Sequence, residues 1–182
     1  GKPVHPVLET CVGSWYSYVR CNTGVPDVYR APVHIYTEGK EVRIKLQGPV
    51  RTYEGTLLWE NNCIYSLLES QHGKKLQLIF KIGLSKPDVL QGVFSGVSTA
   101  GEPIAGRELF IRQDTDFKKL PTAKIAINTL LQDKNEENKI IGSYFDSKEQ
   151  NILKGGQPST FGMSDLRQYL QPVKLPVKKA RR

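Results

Sequence analysis

Hydrophobic and polar positions alternate most cleanly over Glu41–Gln47, where Val42, Ile44 and Leu46 fall on one side and Arg43, Lys45 and Gln47 on the other. A period of two is the signature of a half-buried β-strand. The signature recurs on both sides of this stretch. Before it lie Cys11–Arg20 (CVGSWYSYVR) and Val28–Thr37, rich in aromatic and β-branched residues. After it, Arg51–Glu60 sets Tyr53, Gly55, Leu57 and Trp59 on one face. Cys63–Ser70 follows, and Lys75–Ile82 aligns Leu76, Leu78, Phe80 and Ile82. Turn residues separate these runs at Asn22–Asp27, Glu38–Lys40, Gly48-Pro49, Asn61-Asn62, Gln71–Lys74 and Ser85–Asp88. The last pair lies in Val89–Arg112, two strands around a turn at Thr99–Glu102. Its Gly92, Gly96 and Gly106 permit sharp curvature or close approach of another backbone.

The pattern predicts eight strands joined mostly by hairpin-length turns, with no helical period between them. Parallel pairing would need crossover helices, so the expected class is mainly β, an eight-stranded antiparallel up-and-down barrel. A β-sandwich is the competing architecture. Closure of eight strands removes exposed edges and leaves room for one small ligand. The barrel is assigned to residues 1–113, with Gly1–Thr10 as a loose lead-in. A mixed, partly helical extension over 114–173 follows, then a basic flexible tail over 174–182. In the extension, Thr122–Gln132 reads as a strand or a short helix, Lys139–Leu153 is apolar but carries Gly142, and Ser164 is positioned to cap a helix over Asp165–Gln171. Its apolar faces must be covered, by the barrel or by a protein partner.

Composition narrows the function classes. Hydrophobic residues make up 38% and charged residues 24% of 182, an ordinary balance for a globular chain. No apolar run reaches the roughly 18–20 residues of a spanning helix, so no membrane association is expected. Met163 is the one methionine, so the chain is expected to be a trimmed or processed piece of a larger protein. The net charge of +8 is mostly an end effect, because Lys174–Arg182 holds five basic residues and no acid. That tail implies weak, non-specific nucleic-acid contact at most. Cys11, Cys21 and Cys63 are odd in number and lack CxxC spacing. They point to a reducing compartment, expected to be cytoplasmic, or at most to one bridge plus a free thiol, and to neither zinc nor a disulfide framework.

Gly13-Ser14-Trp15 opens the first strand. This Gly-x-Trp resembles the start of the calycin group, the lipocalin-like and fatty-acid-binding-like barrels, and the resemblance covers Cys11–Gln113. It implies that Trp15 closes one barrel end against an arginine from after the last strand, a place that Arg112 or else Arg107 takes here. It implies a shared architecture rather than a shared ligand.

Candidate chemistry is sparse. Tyr18, Tyr36 and Tyr53 offer apolar area with a hydroxyl, suited to orienting a polar ligand in a pocket. Arg43, Arg51 and Arg107 carry a fork that matches a carboxylate or phosphate, with Arg107 favoured because it adjoins Gly106. Ser95 and Ser98, beside the hairpin glycines, supply hydroxyls at the same expected end. His34 and the three cysteines lack any partner set for catalysis, and no paired carboxylates are visible. The expectation is a non-enzymatic, small-molecule-binding sensor or regulatory barrel of a larger intracellular protein. Its ligand would be polar or anionic, nucleotide-like among the options, with no cofactor or metal. Ligand-binding residues are expected to be Tyr18, Tyr36, Tyr53, Ser95, Ser98 and Arg107. The alternative is a protein- or nucleic-acid-interaction module whose barrel is filled by its own side chains.

Overall fold

The computed structural model describes residues 4–22, 24–155 and 162–170. Nine strands follow in chain order: β1 (Gly13–Arg20), β2 (Asp27–Glu38), β3 (Glu41–Gln47), β4 (Thr52–Thr56), β5 (Leu58–Glu60), β6 (Cys63–Ser70), β7 (Lys75–Lys81), β8 (Val89–Val97) and β9 (Pro103–Gln113). β4 and β5 are one strand interrupted at Leu57, whose buried side chain keeps the inward phase of Tyr53, Gly55 and Trp59. Every neighbouring pair is antiparallel, and β1 returns to pair with β9, Ser14 facing Gln113 through Val19 facing Glu108. The sheet is thus the closed eight-strand meander expected. Two hairpins show why their turn residues were readable. Asn61 and Asn62 both take positive φ, as a two-residue turn matching strand twist requires. Gly101 sits at φ +79° in the β8–β9 turn.

The interior is built from one phase of each strand: Trp15, Val33, Ile35, Val42, Ile44, Ile64, Leu68, Leu78, Phe80, Leu90 and Phe110 are all but inaccessible. Each such side chain stabilises by about 1.5–3 kcal/mol relative to exposure. The two barrel ends differ. One is sealed by α1 (Pro6–Glu9), whose Val7 and Leu8 join the interior cluster. The described part of the lead-in, residues 4–10, is therefore a plug rather than a loose segment. His5 stacks on Trp59 at this end, 4.0 Å between ring centroids. Trp15 donates its indole N–H to the Cys11 carbonyl at 2.9 Å.

The extension packs on the outside of the barrel over residues 117–154. β10 (Ala123–Ala126) pairs with the first residues of β2, and β11 (Leu153–Lys154) pairs with β9 at Ala105 and Ile104. Between them run α2 (Ile127–Leu131), α3 (Glu136–Phe145) and α4 (Lys148–Asn151). The stretch read as strand or helix is both in succession, β10 then α2. Ile127, Leu130, Ile141 and Phe145 form a second core with the outward faces of β1, β2 and β9, namely Tyr16, Tyr18, Val28, Leu109 and Ile111. Gly142 lies within α3 because it contacts α2; a Cβ there would lie 2.9 Å from that of Leu130. The last α-helix among the described residues is α5 (Met163–Leu166), with Gly162 rather than Ser164 at its N-cap. The 174–182 tail lies outside the described residues.

Candidate functional site

The end opposite α1 is open. A cavity of about 380 Å³ enters the barrel there, lined by Ser17, Val19, Tyr29, Ala31, Leu46, Tyr53, Leu76, Phe94 and Glu108, with Asn22, Pro49, Val50, Arg51 and Thr99 around the mouth. Its depth follows from side-chain size. Ser17 and Ala31 are small where a larger inward residue would fill the interior, and Glu108 faces Gly92 across the β8–β9 ladder.

Glu108 is the chemical centre of this cavity. It is 2% exposed. The Ser17 hydroxyl donates to its Oε1 at 2.7 Å, and its Oε2, also buried, has no hydrogen-bond partner among the described residues. Burial pushes the carboxyl up to about 8, opposed by the Ser17 hydrogen bond. No opposite charge offsets the desolvation, so the group is a neutral acid near pH 7. A buried carboxylic acid with a free O–H can donate a hydrogen bond in an otherwise mostly apolar chamber.

The expected ligand residues do not converge. Tyr53 lines the cavity, as does Arg51, one of the three arginines considered. Tyr18 faces outward into the second core, where burial pushes its phenol up to about 12. Tyr36 lies on the outer face of β2 and stacks on His34, 4.9 Å between centroids. Ser95 also points outward and donates to Gln77 at 3.3 Å. Ser98 belongs to the β8–β9 turn, its hydroxyl accepting from the Glu102 amide at 3.2 Å. Arg107 is outward as well: its guanidinium lies 4.1 Å from the Tyr144 ring centroid and donates to the Tyr144 carbonyl and to Gln150. It tethers the extension instead of pointing into the barrel. The physical reason is phase, since a strand read one residue out of register presents the other face. Glu108, Ser17 and Tyr29, which the inward phase brings together, were not singled out.

Arg112 is the arginine that meets Trp15, its guanidinium 4.3 Å from the ring centroid. It also donates to the carbonyls of Thr10, Val12 and Pro87 at 2.7, 2.9 and 3.0 Å. Cys11 and Cys21 are buried free thiols, and burial pushes both up, Cys21 to about 11, which keeps them protonated. Among the described residues no cluster of three or more His, Cys, Asp or Glu is disposed to hold a metal ion, and no helix is long and apolar enough to cross a membrane. A second depression of similar volume lies on the outer face between Leu67, Gln77, Ser95 and Leu153. It has no convergent buried polar group.

No family model matches the chain, and no curated protein matches it. Among solved structures, a redesigned β-barrel is similar at 14% identity, over 62% of this chain and 100% of its own, with a TM-score of 0.46.

Proposed function

We propose that the chain is a non-enzymatic binding barrel, which takes one small molecule through the open end into the cavity above Glu108. The observation that carries this reading is a chamber of about 380 Å³ lined by Glu108, whose Oε2 is buried without a partner among the described residues. A buried polar group without a partner is costly, and a ligand that supplies the partner recovers that cost. The volume suits a molecule of roughly drug size or smaller. Arg51 at the mouth leaves room for a polar or anionic group at the outer end of an otherwise apolar ligand. The seal of Trp15 by Arg112 supports a calycin-like relationship for the barrel.

A sensing or regulatory role is supported by the two faces of β1 and β9. Ser17 and Glu108 face the cavity, while the adjacent Tyr18 and Leu109 face the extension. A ligand that shifts either strand therefore bears directly on α2 and α3. The interaction-module reading draws on the outer depression, where Leu67 and Leu153 are exposed.

Native mass spectrometry of the purified chain, alongside Ala31→Phe and Val19→Phe as cavity-filling variants, tests the binding reading. The expected result is a small-molecule adduct on the parent chain that both variants lose while keeping the barrel's circular dichroism. An adduct retained by both folded variants would place the ligand elsewhere.

A further inference from the structure

We infer that Glu108 selects the ligand: the cavity takes a molecule whose buried end is uncharged and carries a hydrogen-bond acceptor such as a ketone, ester or amide carbonyl, and discriminates against an ammonium group. This rests on the reading of the cavity as a binding site.

The geometry assigns the roles. Oε1 already accepts the Ser17 proton, so the acid proton belongs on Oε2, which is buried without a partner among the described residues in the wall of the cavity that Glu108 lines. The ladder partners of Glu108 are Val19 on β1 and Gly92 on β8, neither of which titrates. Among the described residues, the titratable or charged groups of the other elements that share the cavity are Tyr29, Tyr53 and, at the mouth, Arg51. None is a base able to take the proton, and the one formal charge is positive. A cation entering past Arg51 would be repelled at the mouth. It would also need to be stripped of water and to ionise Glu108 before gaining its ion pair. A carbonyl needs neither step; it accepts the proton that is already in place.

The two ligand classes respond oppositely to pH. Binding of a carbonyl requires the acid form and weakens as Glu108 ionises above about 8, by up to about tenfold per pH unit. Binding of an ammonium releases a proton from Glu108 and strengthens as pH rises over the same range.

The test uses three fluorescent naphthalenes on the intact chain, titrated from about pH 6 to about pH 9: dimethylaminonaphthalene carrying a propionyl ketone, the same compound without the ketone, and naphthylmethylammonium. The ketone probe is expected to bind about tenfold more tightly than its ketone-free counterpart near pH 7 and to weaken above pH 8. Glu108→Gln, which keeps a neutral donor, retains the ketone preference and removes the pH dependence. Glu108→Leu loses the preference but still binds the ketone-free probe. Equal, pH-independent binding of both neutral probes, unmoved by either substitution, overturns the selection by Glu108 and leaves the cavity reading standing. Tighter binding of naphthylmethylammonium with rising pH overturns it in favour of a cation. Failure of every probe to bind the folded chain overturns the cavity reading, and this inference with it.

Discussion

The guanidinium of Arg112 lies 4.3 Å from the centre of the Trp15 ring and donates to three backbone carbonyls, two of them in the segment that leads from α1 into β1. One side chain thus joins the last barrel strand, the first and the plug. Its ion pair with Asp88 is long, and Asp88 is almost fully exposed, so that contact contributes little. Arg112→Ala is expected to destabilise the chain by about 3 kcal/mol, since charge-assisted hydrogen bonds and the ring contact are lost together. Denaturant unfolding followed by tryptophan emission measures it, and the emission of the folded variant should shift red as Trp15 becomes wet.

The same relationship explains how much of the barrel was legible. Strand number, closure and the position of most turns follow from the period of two and from residues such as Asn61, Asn62 and Gly101. The inward face of β1 and β9 did not follow, because the extension covers their outer face and Tyr16, Tyr18, Leu109 and Ile111 are as buried as their inward neighbours. Alternation carries no sign when both faces are apolar. A signal was nevertheless present. Once Trp15 and Arg112 are taken as partners inside the barrel, Ser17 and Val19 must face inward with Trp15, and Glu108 and Phe110 with Arg112. Tyr18 and Arg107 are then outward. The strand β2 shows the same effect, with Tyr29 inward and Tyr36 outward.

Arg20 links the barrel to the extension. Nearly buried, it donates to the carbonyls of Phe145 and Asp146 at 2.6 and 2.9 Å, where α3 ends and its carbonyls lack helical partners. Arg20→Met, which keeps the apolar stem, is expected to cost about 2–3 kcal/mol. Hydrogen exchange should report the loss chiefly in α2 and α3, with amides of β3, β6 and β7 unchanged.

Glu108 makes stability pH-dependent. Its carboxyl holds a proton in the folded chain up to about 8, while the unfolded chain releases it near 4.5. Between these values the folded state binds more protons, so stability from this group is full below about 4.5 and is lost as pH rises through about 8. The slope reaches at most about 1.4 kcal/mol per pH unit. Glu108→Gln should flatten the dependence over that window and leave the variant more stable than the parent near pH 8. Thermal melts at a series of pH values check both.

Gly106 is where α4 meets β9. A Cβ there would run into the carbonyl oxygen of Asn151 and approach the Phe94 ring to 2.9 Å. Gly106→Ala is expected to cost about 1–3 kcal/mol by forcing these groups apart. Because Asn151 holds the α3–α4 connection through the Tyr144 and Ser147 carbonyls, the β11 pairing should loosen with it. Faster exchange of the amides that β9 and β11 share would register this.

The central claim is that the open end of the barrel admits a small molecule to Glu108. Backbone amide chemical shifts during titration with the naphthyl ketone test it most directly. Shifts clustered at Ser17, Val19, Tyr53, Phe94 and Glu108, absent from the Trp15 end, are the predicted result. Shifts confined to Leu67, Gln77, Ser95 and Leu153 on the outer face, or none at all, would contradict it.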